Sequence, residues 1–187
     1  MQWARYFFPK AKFLHRLRHP LGQGQSQVKA LSAFLPFEDF ARAAFLPRGL
    51  FDFSTDLPTF DPQIEWHQPH ARILTFLRPA PQEQQKRVRG EDLLTDPDRH
   101  LREIAAWMGL RADRQAIEAM KHPEQSRFAC FGPRNAILGG DPNFLRYPHL
   151  RTGKADIQSL EGPLPWRKDG AGFSPQVQEL ARRFGYT

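Results

Sequence analysis

A chain of 187 residues with 27 Lys and Arg against 20 Asp and Glu, a net charge of +7 and 40% hydrophobic residues has the size of one globular domain with a packed core. Its single Cys130 excludes an internal disulfide framework or a Cys-based zinc site, and no apolar run approaches the ~20 residues of a membrane helix. The opening MQWARYFFPKAKF lacks the apolar stretch and cleavage site of a signal peptide, so a cytoplasmic setting without membrane anchoring is expected. The charge is uneven. Glu38 is the first acidic residue, so Arg5, Lys10, Lys12, Arg16, Arg18 and Lys29 stand with no carboxylate before it, a setting that favours an anionic partner.

In chain order, Lys12 to Leu17 is an apolar-rich run that ends at Arg18-His19-Pro20 and predicts a strand entering a turn. Gly22-Gln23-Gly24-Gln25 predicts a flexible turn, and Ser26 an N-cap for a helix in which Val28, Leu31 and Leu35 share a face. From Pro36 to Glu65 the pattern dissolves: FEDFARAAFL predicts a short helix and DLPTFDPQIE an irregular cover. Trp66 to Leu77 returns to helical spacing and ends before Pro79, and Lys86 to Arg89 predicts a short strand. The clearest helix has Asp96 as N-cap, Pro97 at its first position, Leu101, Ile104, Ala105 and Met108 on one face, and Gly109 as its stop. A further helix is expected over Asp113 to Met120, a loop-rich stretch over His122 to Gly172, and a closing helix capped by Ser174 with Pro175 at its start.

A strand that ends in Arg, turns through glycines and resumes as a helix capped by Ser can bind phosphate by simple means. The guanidinium offers a planar fork of donors, the hydroxyl one more, and a helix N-terminus free N–H groups with a favourable dipole. By itself the pairing is weak: Arg and Ser eight residues apart arise by chance, and on the residues alone Arg18 reads first as a solvated strand end and Ser26 as a simple cap. His67 and His70 could pair on a metal, but no third ligand is evident and they are read as exposed histidines, with no metal expected. Gly22-x-Gly24 after a strand lacks the third glycine of a dinucleotide fingerprint, and Cys130 is read as a small buried apolar residue.

The segment KFLHRLRHPLGQGQS is similar to the part of sulfotransferases in which a strand, an Arg and a Ser eight positions later grip the 3′-phosphate of the donor, 3′-phosphoadenosine 5′-phosphosulfate. RVRGEDLLTDPDRHLREIAAWMGL resembles the family's later R-x-E-D-L strand end, followed by D-P, an amphipathic helix and a G-L stop, with Arg89, Glu91, Asp92, Leu93, Asp96, Pro97, Gly109 and Leu110 carrying the match. FGPRNAILGGDPNFLR and SLEGPLPWRKDGAGFSPQVQELARRFGY resemble the ending of a bacterial group within it. The resemblance implies an α/β, P-loop-like three-layer fold with a parallel sheet and flanking helices, a loop-rich C-terminal part and a single domain over 1–187. It also implies Arg18 and Ser26 as binders of the donor or of its product, 3′-phosphoadenosine 5′-phosphate. A basic segment that closes on the 3′-phosphate in other members has its counterpart in Arg151, Gly153 and Lys154, with Arg167-Lys168 as a rival and a solvated basic loop as the plain alternative. Trp166 is read as packing for that loop.

The departures from the family are specific. Sulfotransferases cradle the 5′-phosphosulfate in a Pro-Lys-x-Gly-Thr-Thr-like loop, and here Pro9-Lys10 is followed by Ala11-Lys12-Phe13-Leu14. That loop, the first strand and the general base that follows it are expected to be missing, so the domain is read as N-terminally truncated, with no catalytic residue assigned. Gly90 stands where an aromatic commonly packs near the adenine. The expected partners are the nucleotide donor and an acceptor hydroxyl or amine of unknown identity. A basic nucleic-acid-binding module is the competing reading, without a recognised motif behind it. A folded remnant without ligand, poorly soluble through an exposed edge at Lys12 to Leu17, is the third.

Overall fold

The computed structural model describes residues 6–34, 51–52, 59–126, 149–153 and 158–187. Its elements, in order, are strand β1 (Phe13–Leu17), helix α1 (Pro20–Phe34), short strands β2 (Phe51–Asp52) and β3 (Thr59–Phe60), and helix α2 (Pro62–Leu77). There follow strand β4 (Gln85–Arg89) and helices α3 (Gly90–Thr95), α4 (Pro97–Met108), α5 (Arg114–Met120) and α6 (Pro175–Arg183). The protein is of mixed helix and strand class, as expected. β1 and β4 form a small parallel sheet, a pairing that requires the long crossover through α1 and α2, while β2 and β3 form an antiparallel pair with Phe51 opposite Phe60.

The chain divides into two compact units, residues 1–87 with 156–187, and residues 88–155. In the first, burial alternates along β1, so that His15 and Leu17 face inward while Leu14 and Arg16 face outward, the period of a half-buried strand. Leu17, Trp66 from α2, Leu160, Leu164 and Phe173 from the C-terminal stretch, and Val177, Leu180, Ala181 and Phe184 from α6 and its end make one apolar cluster. In the second unit α4 packs against α3 and α5, and Val88, Ala105 and Ile117 are its buried apolar side chains among the described residues.

Several boundaries follow the expected local chemistry. Asp96 caps α4 by accepting from Arg99 N, Pro97 opens the helix, and Gly109 ends it at φ 78°, a left-handed conformation that a side chain would strain. Asp113 caps α5 and Ser174 caps α6 ahead of Pro175. The predicted strand over Lys86 to Arg89 is β4. The helix predicted from Trp66 starts four residues earlier, because Asp61 serves as N-cap to Gln63 N and Pro62 takes the first helical position. The helix predicted in FEDFARAAFL lies outside the described residues, as does Cys130.

The expectation for the start of α1 is overturned. Gly22 to Gln25 is no turn and Ser26 no N-cap: α1 begins at Pro20 and holds both glycines and Ser26 in its interior. The physical reason is twofold. His19, immediately before the helix, accepts a hydrogen bond from Leu21 N on its Nδ1 at 3.2 Å, and its carbonyl accepts from Gln23 N at 3.0 Å, so the cap is supplied seven residues before Ser26. The glycines serve close packing. A Cβ at Gly22 would lie 2.8 Å from Oε1 of Gln158, and one at Gly24 would overlap the indole of Trp166.

Candidate functional site

Arg18 follows the last residue of β1 and precedes the cap of α1. Its backbone runs through the interior while its side chain is exposed: Leu17 and His19 are 1% and 4% accessible on either side, and Pro20 is fully buried. The carbonyl of Arg18 accepts a hydrogen bond of 2.9 Å from Nε1 of Trp66. Ser26 lies two turns into α1, half-buried. An exposed guanidinium directly ahead of a 15-residue helix, whose first turn carries no acidic residue, is suited to an anion.

Behind α1 stands a buried polar network. Asp61, 4% accessible, accepts from Gln63 N at 3.2 Å and Gln63 Nε2 at 2.6 Å, from Trp166 Nε1 at 3.3 Å, and from Arg167 Nη1 at 2.8 Å. Gln63 Oε1 in turn accepts from Ser174 N at 2.8 Å. Arg167 also forks onto Asp169, and the Asp169 and Asp61 carboxylates push its pKa up. Arg167 is thereby committed to holding the C-terminal stretch in place, and Trp166 is the packing surface for Gly24. Lys168 beside it is exposed.

A second buried pair sits on the inner face of β1. His15 Nε2 and His70 Nδ1 share a hydrogen bond of 2.8 Å, with the Phe184 ring 5.5 Å from the first imidazole and 5.6 Å from the second. Burial pushes both pKa values down to about 4, assisted at His15 by His70 and Arg87, and at His70 by Arg87 and His67. His70 is therefore no exposed histidine, as the sequence suggested, but a core residue 8% accessible. Among the described residues there is no group of three or more His, Cys, Asp or Glu able to hold a metal.

In the second unit, Arg89 ends β4 and makes a two-point ion pair with Asp92 of α3, at 2.7 and 3.0 Å. Gly90 opens α3. Arg151 is exposed, and Gly153 donates its N–H to Leu94 O at 3.0 Å, which ties this short basic segment to α3. Lys154 lies outside the described residues. Arg18 and Ser26 thus share one strand-to-helix element of the first unit, and Arg151 and Gly153 belong to the second.

Sequence reasoning missed Trp66, Asp61 and Gln63. No one-dimensional signal marks them, since Trp66 reaches a carbonyl 48 residues away and Asp61 a guanidinium 106 residues away.

The class of protein that this strand, cap and helix suggest is set by comparison with known families. Residues 2–114, more than half of the chain, match the family model described as "Sulfotransferase family". The chain belongs to the sulfotransferase family. Its fold is similar to that of the "Sulfotransferase Domain from the Curacin Biosynthetic Pathway", with a TM-score of 0.58 and 20% sequence identity over 94% of this chain. The chain spans 54% of the length of that structure. No curated protein matches the sequence. Within the described residues no helix is long and apolar enough to cross a membrane.

Proposed function

We propose that Arg18, the start of α1 and Ser26 bind the 3′-phosphate of 3′-phosphoadenosine 5′-phosphosulfate or of its product, 3′-phosphoadenosine 5′-phosphate, in a P-loop-like sulfotransferase fold. The observation that carries this reading is the exposed Arg18 side chain on an immobilised backbone, at the mouth of a helix free of carboxylates in its first turn. The donor set fits a phosphate: the guanidinium fork and a hydroxyl can supply charge-assisted hydrogen bonds, and the positive end of the helix adds a favourable field. By resemblance alone, Arg151, Gly153 and Lys154 are proposed as further binding residues.

The nucleotide supplies an activated sulfuryl group, which in the family's reaction leaves the bridging phosphate oxygen for an acceptor oxygen or nitrogen as the acceptor gives up a proton. In this chain Arg18 and Ser26 orient and neutralise; neither lies at a transferring atom in this scheme. The sequence contains no Pro-Lys-x-Gly-Thr-Thr-like loop, and we infer that these 187 residues by themselves bind nucleotide without turning it over. A cytoplasmic setting agrees with dependence on a soluble nucleotide.

Calorimetric titration of the chain with 3′-phosphoadenosine 5′-phosphate, and with adenosine 5′-phosphate as the partner lacking the 3′-phosphate, tests the site. The bisphosphate is expected to bind more tightly, and Arg18→Ala to weaken it by roughly ten- to a hundredfold, the worth of a charged hydrogen-bonding group. Equal affinities of wild type and Arg18→Ala would remove Arg18 from the site. Binding only to long polyanions, with a steep salt slope, would favour the nucleic-acid reading instead.

A further inference from the structure

A buried indole holds the backbone carbonyl of a residue whose own side chain is exposed. Trp66 is 1% accessible, and its ring is held by His70, with centroids 4.8 Å apart, and by Phe184 at 6.0 Å. Its Nε1–H donates to the carbonyl of Arg18 at 2.9 Å. That carbonyl stands after the last hydrogen-bonded residue of β1 and before the cap of α1, where neither the ladder of the strand nor that of the helix fixes it. The neighbouring residues are pinned by other means: Leu17 is in the core, His19 caps α1, and Pro20 has its φ set by its own ring. The indole hydrogen bond completes the restraint at the one residue whose side chain leaves the interior.

We propose that Trp66 is a positioning residue for anion binding at Arg18, fixing the backbone from which the guanidinium projects so that binding orders only the side chain. This rests on the nucleotide reading of the Arg18 site. The physical reason is preorganisation: a ligand that must also order the strand-to-helix junction loses affinity by the cost of ordering it. Trp66 touches no nucleotide in this scheme, and its effect is confined to groups that Arg18 contacts. The contribution therefore belongs to the 3′-phosphate alone.

The test is the ratio of affinities for 3′-phosphoadenosine 5′-phosphate and adenosine 5′-phosphate in the full chain. Trp66→Phe keeps a ring against His70 and Phe184 and deletes the N–H. It is expected to lower the ratio about five- to tenfold, the loss of one buried hydrogen bond, while adenosine 5′-phosphate binds as before. In an Arg18→Ala background the same replacement should leave the ratio unchanged. A ratio unaltered by Trp66→Phe, or equal weakening for both nucleotides, would overturn the proposal. If wild type itself fails to distinguish the two nucleotides, or Arg18→Ala changes nothing, the reading of the site falls first. A measurement on the wild-type chain stands apart from the variant's stability. The Trp66 indole N–H should be protected from hydrogen exchange in the free chain as strongly as with the bisphosphate bound, and an indole N–H that becomes protected only on adding the bisphosphate counts against the role.

Discussion

Asp61 and Asp96 perform the same local task in very different surroundings. Each is the N-cap of a helix, each accepts from a backbone N–H at 3.2 Å, and each is followed by Pro at the first helical position. Asp61 is buried at the start of α2 and receives Trp166 and Arg167 besides Gln63 of its own helix, whereas the Asp96 side chain is half-exposed and reaches no further than Arg99. A cap motif has a similar form in both places, but at Asp61 it also anchors the stretch that packs against α1, and so supports the strand-to-helix element carrying Arg18 and Ser26.

Removing Asp61 should therefore produce the largest effect. In Asp61→Ala the Arg167 guanidinium loses its buried partner, the indole N–H of Trp166 is left unpaired, and α2 loses its cap. The expected cost is about 3–5 kcal/mol, summed from the lost cap, the lost charged hydrogen bond and the unpaired indole N–H, while Arg167 keeps Asp169. Urea unfolding followed by tryptophan fluorescence measures it. A cost near that of an exposed cap would mean that Asp61 is no more than one.

Acid should strain the same unit through its histidines. The folded pKa values of His15 and His70 lie near 4, against 6.5 for a free imidazole, so in the folded state both stay neutral where the unfolded chain takes up protons. Their contribution to stability is complete above pH 6.5 and is lost as pH falls from 6.5 through 4. For one such histidine the loss is on the order of 3 kcal/mol, and the coupled pair titrates as a unit. Melting temperatures between pH 7 and 4.5 should fall steeply, and His15→Phe should flatten that fall. An unchanged slope in the variant would place the acid sensitivity elsewhere.

How far the sequence could be read follows the same division. The bounds of α4 and α6 are written in residues within four positions of each cap, and Asp96, Gly109 and Ser174 were legible for that reason. The start of α1 was not. Gly22 and Gly24 look like a turn because glycine is costly inside a helix, and only the positions of Gln158 and Trp166, more than a hundred residues later, explain why the cost is met. His70 read as exposed for a similar reason, since its partner His15 lies on another element 55 residues earlier. The Arg18 and Ser26 spacing was visible through a family resemblance, while Trp66, which holds the Arg18 backbone, left no sequence trace.

Gly24 and Gly109 sharpen the contrast on a smaller scale. Gly109 has open space around its missing side chain and a positive φ, while Gly24 is within a helix and has no space at all. Gly24→Ala should cost about 1–3 kcal/mol, because the helix must move off the Trp166 ring, and Gly109→Ala about 1–2 kcal/mol from backbone strain alone. The two are separated by Trp166→Leu, which makes room beside position 24. In that background the Gly24→Ala penalty should shrink and the Gly109→Ala penalty should persist. An undiminished Gly24→Ala penalty would show that the glycine is needed for something other than the ring.

Asp96→Ala completes the comparison with the smallest effect. It removes one backbone acceptor and an exposed contact with Arg99, for an expected loss of about 1 kcal/mol, nearly all of it from the cap because surface ion pairs contribute little. Asp96→Asn keeps a capping oxygen and gives up the charge, and should cost only a few tenths of a kcal/mol. Amide hydrogen exchange resolves where the loss falls: the first turn of α4 should exchange faster in Asp96→Ala, with the amides of α1 and α2 unaffected. Should Asp96→Asn prove as costly as Asp96→Ala, the charge rather than the cap would be holding α4. The resemblance between the two aspartates would then end at their sequence context.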